Sequence, residues 1–82
     1  MGKTNDNHQG AIFAQLLAGK RISVLTVLQT VGTSELRHYI AIIRGGGLPV
    51  SDEKIKRPDG TWYKEYFLEP EVLEAERLKQ VA

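Results

Sequence analysis

With 82 residues the chain has room for one domain and a small core. It contains no cysteine, which removes a disulfide framework and thiolate metal sites and leaves packing alone to hold the fold. The net charge of +1 conceals a division, because Met1 to Lys64 carries nine Lys or Arg against five acids, whereas Glu65 to Ala82 carries two against five. A basic body of +4 and an acidic tail of −3 suit a polyanionic partner for the body without requiring one. No apolar run is long enough to cross a bilayer, and the opening MGKTNDNHQG lacks the apolar centre of a signal peptide. A soluble, cytoplasmic chain is expected. Met1-Gly2 begins like a myristoylation signal, but Asp6 stands where Ser or Thr is needed.

Residues 1–8 are polar and read as a flexible segment, followed by a domain over 9–68 and a carboxy-terminal helix over 69–82. The first helix is predicted over Gln9 to Ala18, with Ile12, Phe13, Leu16 and Leu17 at helical spacing and Gly19 as its left-handed cap. Arg21 to Ser23 is a short extended link whose one inward residue is Ile22. Ser23 is placed to cap a second helix, Val24 to Thr30, with an apolar stripe of Val24, Val27, Leu28 and Val31. Gly32 breaks it.

A third helix is predicted over Ser34 to Arg44, with Thr33 or Ser34 as its cap. Leu36, Tyr39, Ile40 and Ile43 follow the i, i+3, i+4, i+7 pattern and face the core. Ser34, Arg37, His38, Ala41 and Arg44 are left on the opposite face, which is basic with a small residue at its centre. Such a face can lie in the major groove of DNA, roughly 12 Å wide, with Ala41 allowing close approach and Arg37 reaching base edges. The second and third helices, joined by a three-residue turn containing glycine, read as a helix-turn-helix.

Gly45 to Gly47 end the third helix by accepting positive φ, and Leu48 is pushed into an extended conformation by Pro49. Asp52 to Arg57 and Thr61 to Leu68 flank Pro58-Asp59-Gly60, a turn signal that makes them a β-hairpin. Tyr66 and Leu68 share a face that Trp62 and Lys64 continue toward the tip, and the tip carries Lys56, Arg57 and Lys64. A basic hairpin directly after a helix-turn-helix reads as a wing, able to lie along a phosphate backbone or in the neighbouring minor groove. Glu69-Pro70-Glu71 opens the last helix, with Val72, Ala75, Leu78 and Ala82 as its apolar stripe and an acidic outer face.

The run GKRISVLTVLQTVGTSELRHYIAIIRGGGLPVSDEKIKRPDGTWYKEYFL, Gly19 to Leu68, resembles the small winged helix-turn-helix domains of bacterial and prophage proteins. In those, G-K-x-I-[ST]-x-L-x-A-L-x-x-x-G-x-S-x-L-x-x-R-I-x-x-L-R precedes R-G-x-P-I and a hairpin ending in Y-[FV]-L. The resemblance covers about fifty of the 82 residues. It implies an α+β winged helix-turn-helix, with a three-helix core, a two- to three-stranded β-wing and a carboxy-terminal helix, and DNA binding in phage or prophage control or replication. Val27 stands where the family usually has alanine, Tyr39 where it has arginine, Ile42 where it has a polar residue, and Gly45-Gly46 where it has basic ones. These departures remove candidate phosphate contacts and leave an exposed isoleucine for a partner.

The competing readings of the same residues are structural. Arg37 and Arg44 could be ordinary solvated arginines, and His38 an ordinary surface histidine; with only His8 for company it makes no zinc set. Ser34 and His38 lie one turn apart, but no oxyanion-hole motif or orienting carboxylate accompanies them, so no enzyme and no cofactor are expected. The three glycines follow a helix rather than precede one and lack the P-loop lysine and hydroxyl. Trp62 is read as cross-strand packing that stiffens the wing rather than as an intercalating wedge.

Two functions of different class follow. The first is sequence-specific binding of double-stranded DNA by a small regulator, through Thr33, Ser34, Arg37, His38, Ala41 and Arg44 of the third helix and Lys56, Arg57 and Lys64 of the wing. Roughly six neutralised phosphates would give a log–log salt slope near −5. A homodimer through the carboxy-terminal helix, or a protein partner, is expected to supply the affinity that one small monomer lacks. The second is a protein-interaction module, a modulator of a host or phage protein, suited by the modest charge, the glycine run and exposed Ile42.

Overall fold

The computed structural model describes residues 4–81, with side chains described for residues 8–80. Its first helix, α1, spans Thr4–Leu17 and so begins five residues before the predicted start at Gln9. The early turns are held from outside, because His8 lies edge-on to Tyr39 at 6.0 Å between ring centroids. Its Nδ1 stands 3.5 Å from the Tyr39 hydroxyl. Of the segment 1–8, residues 4–8 belong to α1 and the first three lie outside the described ones. At the other end Gly19 takes φ +82°. Its N–H donates to Leu16 O at 3.0 Å and that of Lys20 to Gln15 O at 3.2 Å, the bond pair of a Schellman cap.

Ile22 turns into the core, fully buried, and exchanges backbone hydrogen bonds with Tyr66 at 2.9 and 2.7 Å. Helix α2, Val24–Thr30, starts as its sequence requires: the Ser23 Oγ accepts the Thr26 N–H at 3.3 Å. Its apolar stripe does not. Of the four expected inward residues only Val27 is buried and Val31 half-buried, while Val24 and Leu28 face outward beside Leu25. A helix of two turns meets its neighbour along one line, and Val27 alone stands on it.

Helix α3 spans Leu36–Gly45, beginning two residues later than predicted. The connection from α2 is longer by the same two residues, and the Thr33 Oγ1 accepts the Glu35 N–H at 3.1 Å within it. The inward face holds as read: Leu36, Tyr39, Ile40 and Ile43 are all buried. Of the three glycines after it, only Gly47 has positive φ, at +106°, since Gly45 closes the helix and Gly46 keeps φ −82°. The chain then turns through Leu48 and buried Val50 into β1, Ser51–Lys56, which pairs antiparallel with β2, Trp62–Phe67. The turn between them is built by Gly60 at φ +94° and by Asp59, whose Oδ1 accepts from the Thr61 N–H at 3.0 Å and the Thr61 hydroxyl at 2.7 Å. Those bonds hold the Asp59 carboxyl below its ordinary value.

Helix α4, Pro70–Val81, has proline in its first position as expected. Its inward face is Val72, Leu73 and Glu76 rather than Val72, Ala75 and Leu78, and Leu78 stands 65% exposed. The rotation is fixed by α1: Arg77 Nε donates to Leu17 O at 3.0 Å, and Leu73 packs against Gly19. Ala82, also expected in that stripe, lies outside the described residues. Among the described residues, four helices and one two-stranded antiparallel sheet make the fold α+β. Its core gathers Ile12 and Leu16 of α1, the inner face of α3, Ile22, Val27 and the base of the hairpin at Val50, Tyr66 and Leu68.

Candidate nucleic-acid interface

The outward face of α3 is as open as its pattern implies. Arg37, His38 and Ala41 are exposed along it, with Ser34 exposed just before its first turn. His38 rests edge-on against Tyr39, ring centroids 5.2 Å apart, which restricts how far its imidazole can swing. Two of the other predicted contact residues are committed to the fold. Thr33 is 7% exposed and its hydroxyl caps the approach to α3. Arg44 bends back onto β1, donating to Val50 O from Nε at 3.0 Å and from Nη2 at 2.6 Å, and to Asp52 Oδ2 at 2.9 Å. That guanidinium holds the Asp52 carboxyl below its ordinary value, and the nearby Lys64 charge adds to the effect.

The hairpin register sorts charge by face. It sets Glu53 opposite Glu65 and, one step along, Lys54 opposite Lys64. Like charges directly opposed on antiparallel strands are destabilising by roughly 0.2–1 kcal/mol a pair. The acidic pair is relieved by Arg21, which reaches Glu65 Oε1 from Nε at 2.8 Å and Glu53 Oε1 from Nη2. The Arg21 Cζ sits 4.1 Å from the centre of the Phe67 ring, and its two carboxylates, Glu65 foremost, raise its pKa above the ordinary arginine value. No acid among the described residues bridges the lysine pair: Asp52, on the same face as Lys64, is engaged by Arg44. Among the described residues Lys54 and Lys64 pair with no acid at ion-pair distance; Lys54 instead sits 4.4 Å over the Trp62 ring.

Strand alternation puts Lys54, Lys56, Trp62 and Lys64 on one face. Arg57, at the turn, stacks over Tyr63 at 4.6 Å. Between this part of the hairpin and α2 runs a groove of about 420 Å³, floored by Val24, Leu25, Leu28 and Trp62 and edged by Arg37, Arg57 and Lys64. The structure thus brings Arg37 of α3 and Arg57 and Lys64 of the hairpin to one groove, with Lys56 on the adjoining strand face. Ile42 lies elsewhere, in a second hollow of about 470 Å³ with Phe13 and Leu48. No three His, Asp or Glu side chains gather to hold a metal among the described residues.

Lys54 was not among the residues singled out from sequence, although the turn position carries the signal. Counting back from Pro58-Asp59-Gly60 pairs position 56 with 62 and 54 with 64. The outward apolar face of α2 had no comparable signal. No protein-family model, curated protein or solved structure matches the chain. Among the described residues no helix is long and apolar enough to cross a membrane.

Proposed function

We propose that this chain is a winged helix-turn-helix protein that binds double-stranded DNA. Helices α2 and α3 form the helix-turn-helix and the β1–β2 hairpin is the wing. Helix α3 enters the major groove, with Ala41 permitting approach and Arg37, His38 and Ser34 facing the base edges. The wing lies along the backbone, with Lys54, Lys56, Arg57 and Lys64 on phosphates. The observation that carries the reading is the Lys54–Lys64 pair, bridged by no acid, among five cations that make no ion pair among the described residues. A fold that neutralises one like-charged pair with a dedicated arginine and leaves its neighbour open is one in which the open pair awaits an anion.

The test is binding of labelled mixed-sequence duplex at a series of salt concentrations. Arg37→Ala is expected to cost about 1 to 3 kcal/mol and to relax sequence preference, whereas Lys56→Ala weakens all sequences alike. If both variants bind every duplex as tightly as the parent, these faces are wrongly assigned. The second reading, a protein-docking module, is favoured by the outward Val24, Leu25 and Leu28 of α2. Absence of duplex affinity even at low salt would leave that one standing.

A further inference from the structure

We infer that the groove between α2 and the hairpin receives helix α4 of a second copy of this chain, forming a reciprocal dimer. The floor of the groove exposes four large apolar side chains side by side, Val24 at 40%, Leu25 at 55%, Leu28 at 47% and Trp62 at 53%. Scattered apolar residues are ordinary on a surface, but a contiguous set walled by charge marks a binding site. Its edge is wholly cationic in its charged members, Arg37, Arg57 and Lys64. The occupant this selects is apolar at its centre and acidic at its flanks.

Helix α4 presents that surface. Glu71, Glu74, Ala75 and Leu78 are spaced i, i+3, i+4, i+7 and are all exposed, so they form one stripe on the side turned away from α1. Leu78, at 65%, is the most exposed of the large apolar side chains described. The opposite side of α4 is fixed to α1 through Leu73 and the Arg77–Leu17 bond, so the stripe is held in place without the groove. The charges match as well: the stripe carries Glu71 and Glu74 and no base, against Arg37, Arg57 and Lys64 around the groove. Exchange of α4 between two copies makes a two-fold interface in which each chain gives one helix and receives one. Arg37, Arg57 and Lys64 then serve both the dimer and, on the functional reading above, the duplex, so the two states exclude each other.

Sedimentation equilibrium of the full chain without DNA, taken to millimolar concentration, tests the dimer. The parent is expected to dimerise, and Leu78→Asp and Leu28→Asp, one on each side of the contact, each to weaken the dimer by about tenfold or more. Both sites are exposed, so unchanged melting profiles would show that the variants fold. A parent that stays monomeric at millimolar concentration, or a dimer indifferent to either substitution, overturns the inference. Duplex binding by Leu78→Asp separates this outcome from the functional reading. That residue lies off the cation strip, so dilute Leu78→Asp is expected to bind duplex like the dilute parent. At high chain concentration it keeps affinity that the dimerising parent loses, and equal loss in both chains would refute the competition.

Discussion

Replacing Lys64 by threonine separates what the hairpin needs from what a bound anion needs. Lys64 stands directly across from Lys54, and the substitution removes that repulsion while Asp52 keeps its stronger partner, Arg44. Relief of the pair contributes roughly 0.2–1 kcal/mol, and threonine suits a strand better than lysine on a scale spanning about 1 kcal/mol. A net gain of about 1 kcal/mol raises the melting temperature of a domain this size by about 4 to 8 °C. Binding moves the other way. Four cations on phosphates, Lys54, Lys56, Arg57 and Lys64, give a log–log salt slope of about −3.6, shallower than the roughly −5 expected from sequence, since Arg44 and Thr33 are spent on the fold. The slope becomes about −2.7 in the variant, so a fourfold rise in salt costs the parent about 150-fold in affinity and the variant about 40-fold. Circular dichroism melts and fluorescence anisotropy with a labelled duplex measure the two effects on one sample. A variant that melts lower than the parent and keeps the parent slope would refute the reasoning on both counts, making Lys64 a structural residue with no anion to meet.

Leu36 and Ile40 are 0% and 1% exposed, so Leu36→Ala and Ile40→Ala should each destabilise the domain by about 2 to 5 kcal/mol in chemical unfolding; unchanged midpoints would mean that α3 faces another way. Gly19→Ala forces a left-handed backbone on a residue with a Cβ and should cost about 1 to 2 kcal/mol, read in the same assay. Asp52 and Asp59 both titrate below their ordinary range, held there by Arg44 and by Thr61 respectively. Their contribution is therefore complete above the ordinary carboxylate range and is lost as pH falls through and below it. The double variant Asp52→Asn, Asp59→Asn is expected to show a shallower loss of urea midpoint on acidification than the parent, and equal slopes would contradict the assignment.

Most of the fold was legible because its signals are local. Ser23 before an apolar run, Gly19 after one, Pro70 between two acids and Pro58-Asp59-Gly60 between alternating segments each fix a backbone conformation within a few residues. The buried face of α3 was legible for the same reason, since Leu36, Tyr39, Ile40 and Ile43 admit one helical phase. The misread elements are those whose phase is set at a distance. The stripe of α4 is rotated by a bond from Arg77 to Leu17, sixty positions away in the chain, and nothing near Leu78 announces it. In α2 almost every position is aliphatic or threonine, so periodicity could not choose which side meets α3. Arg44 shows the same limit in the candidate site, because an arginine at the end of a helix looks free until the following strand is seen to pass within reach of it.

The net charge of +1 says little about partners because alternation along two strands has already separated the charges. Glu53 and Glu65 fall on one face, where Arg21 bridges them, and Lys54 and Lys64 fall on the other, beside Trp62. Each face is thereby given a sign, and the basic one adjoins the exposed side of α3. A register slip of one residue turns over one strand: with β2 held by buried Tyr66, β1 would carry Glu53 to the Trp62 face and Lys54 to the face of Arg21. Arg21 would then lose Glu53, one of its two carboxylates, and meet Lys54 in its place. Arg21 can hold both glutamates only in the register that also sets Lys54 across from Lys64, so the clamp and the open lysine pair come together.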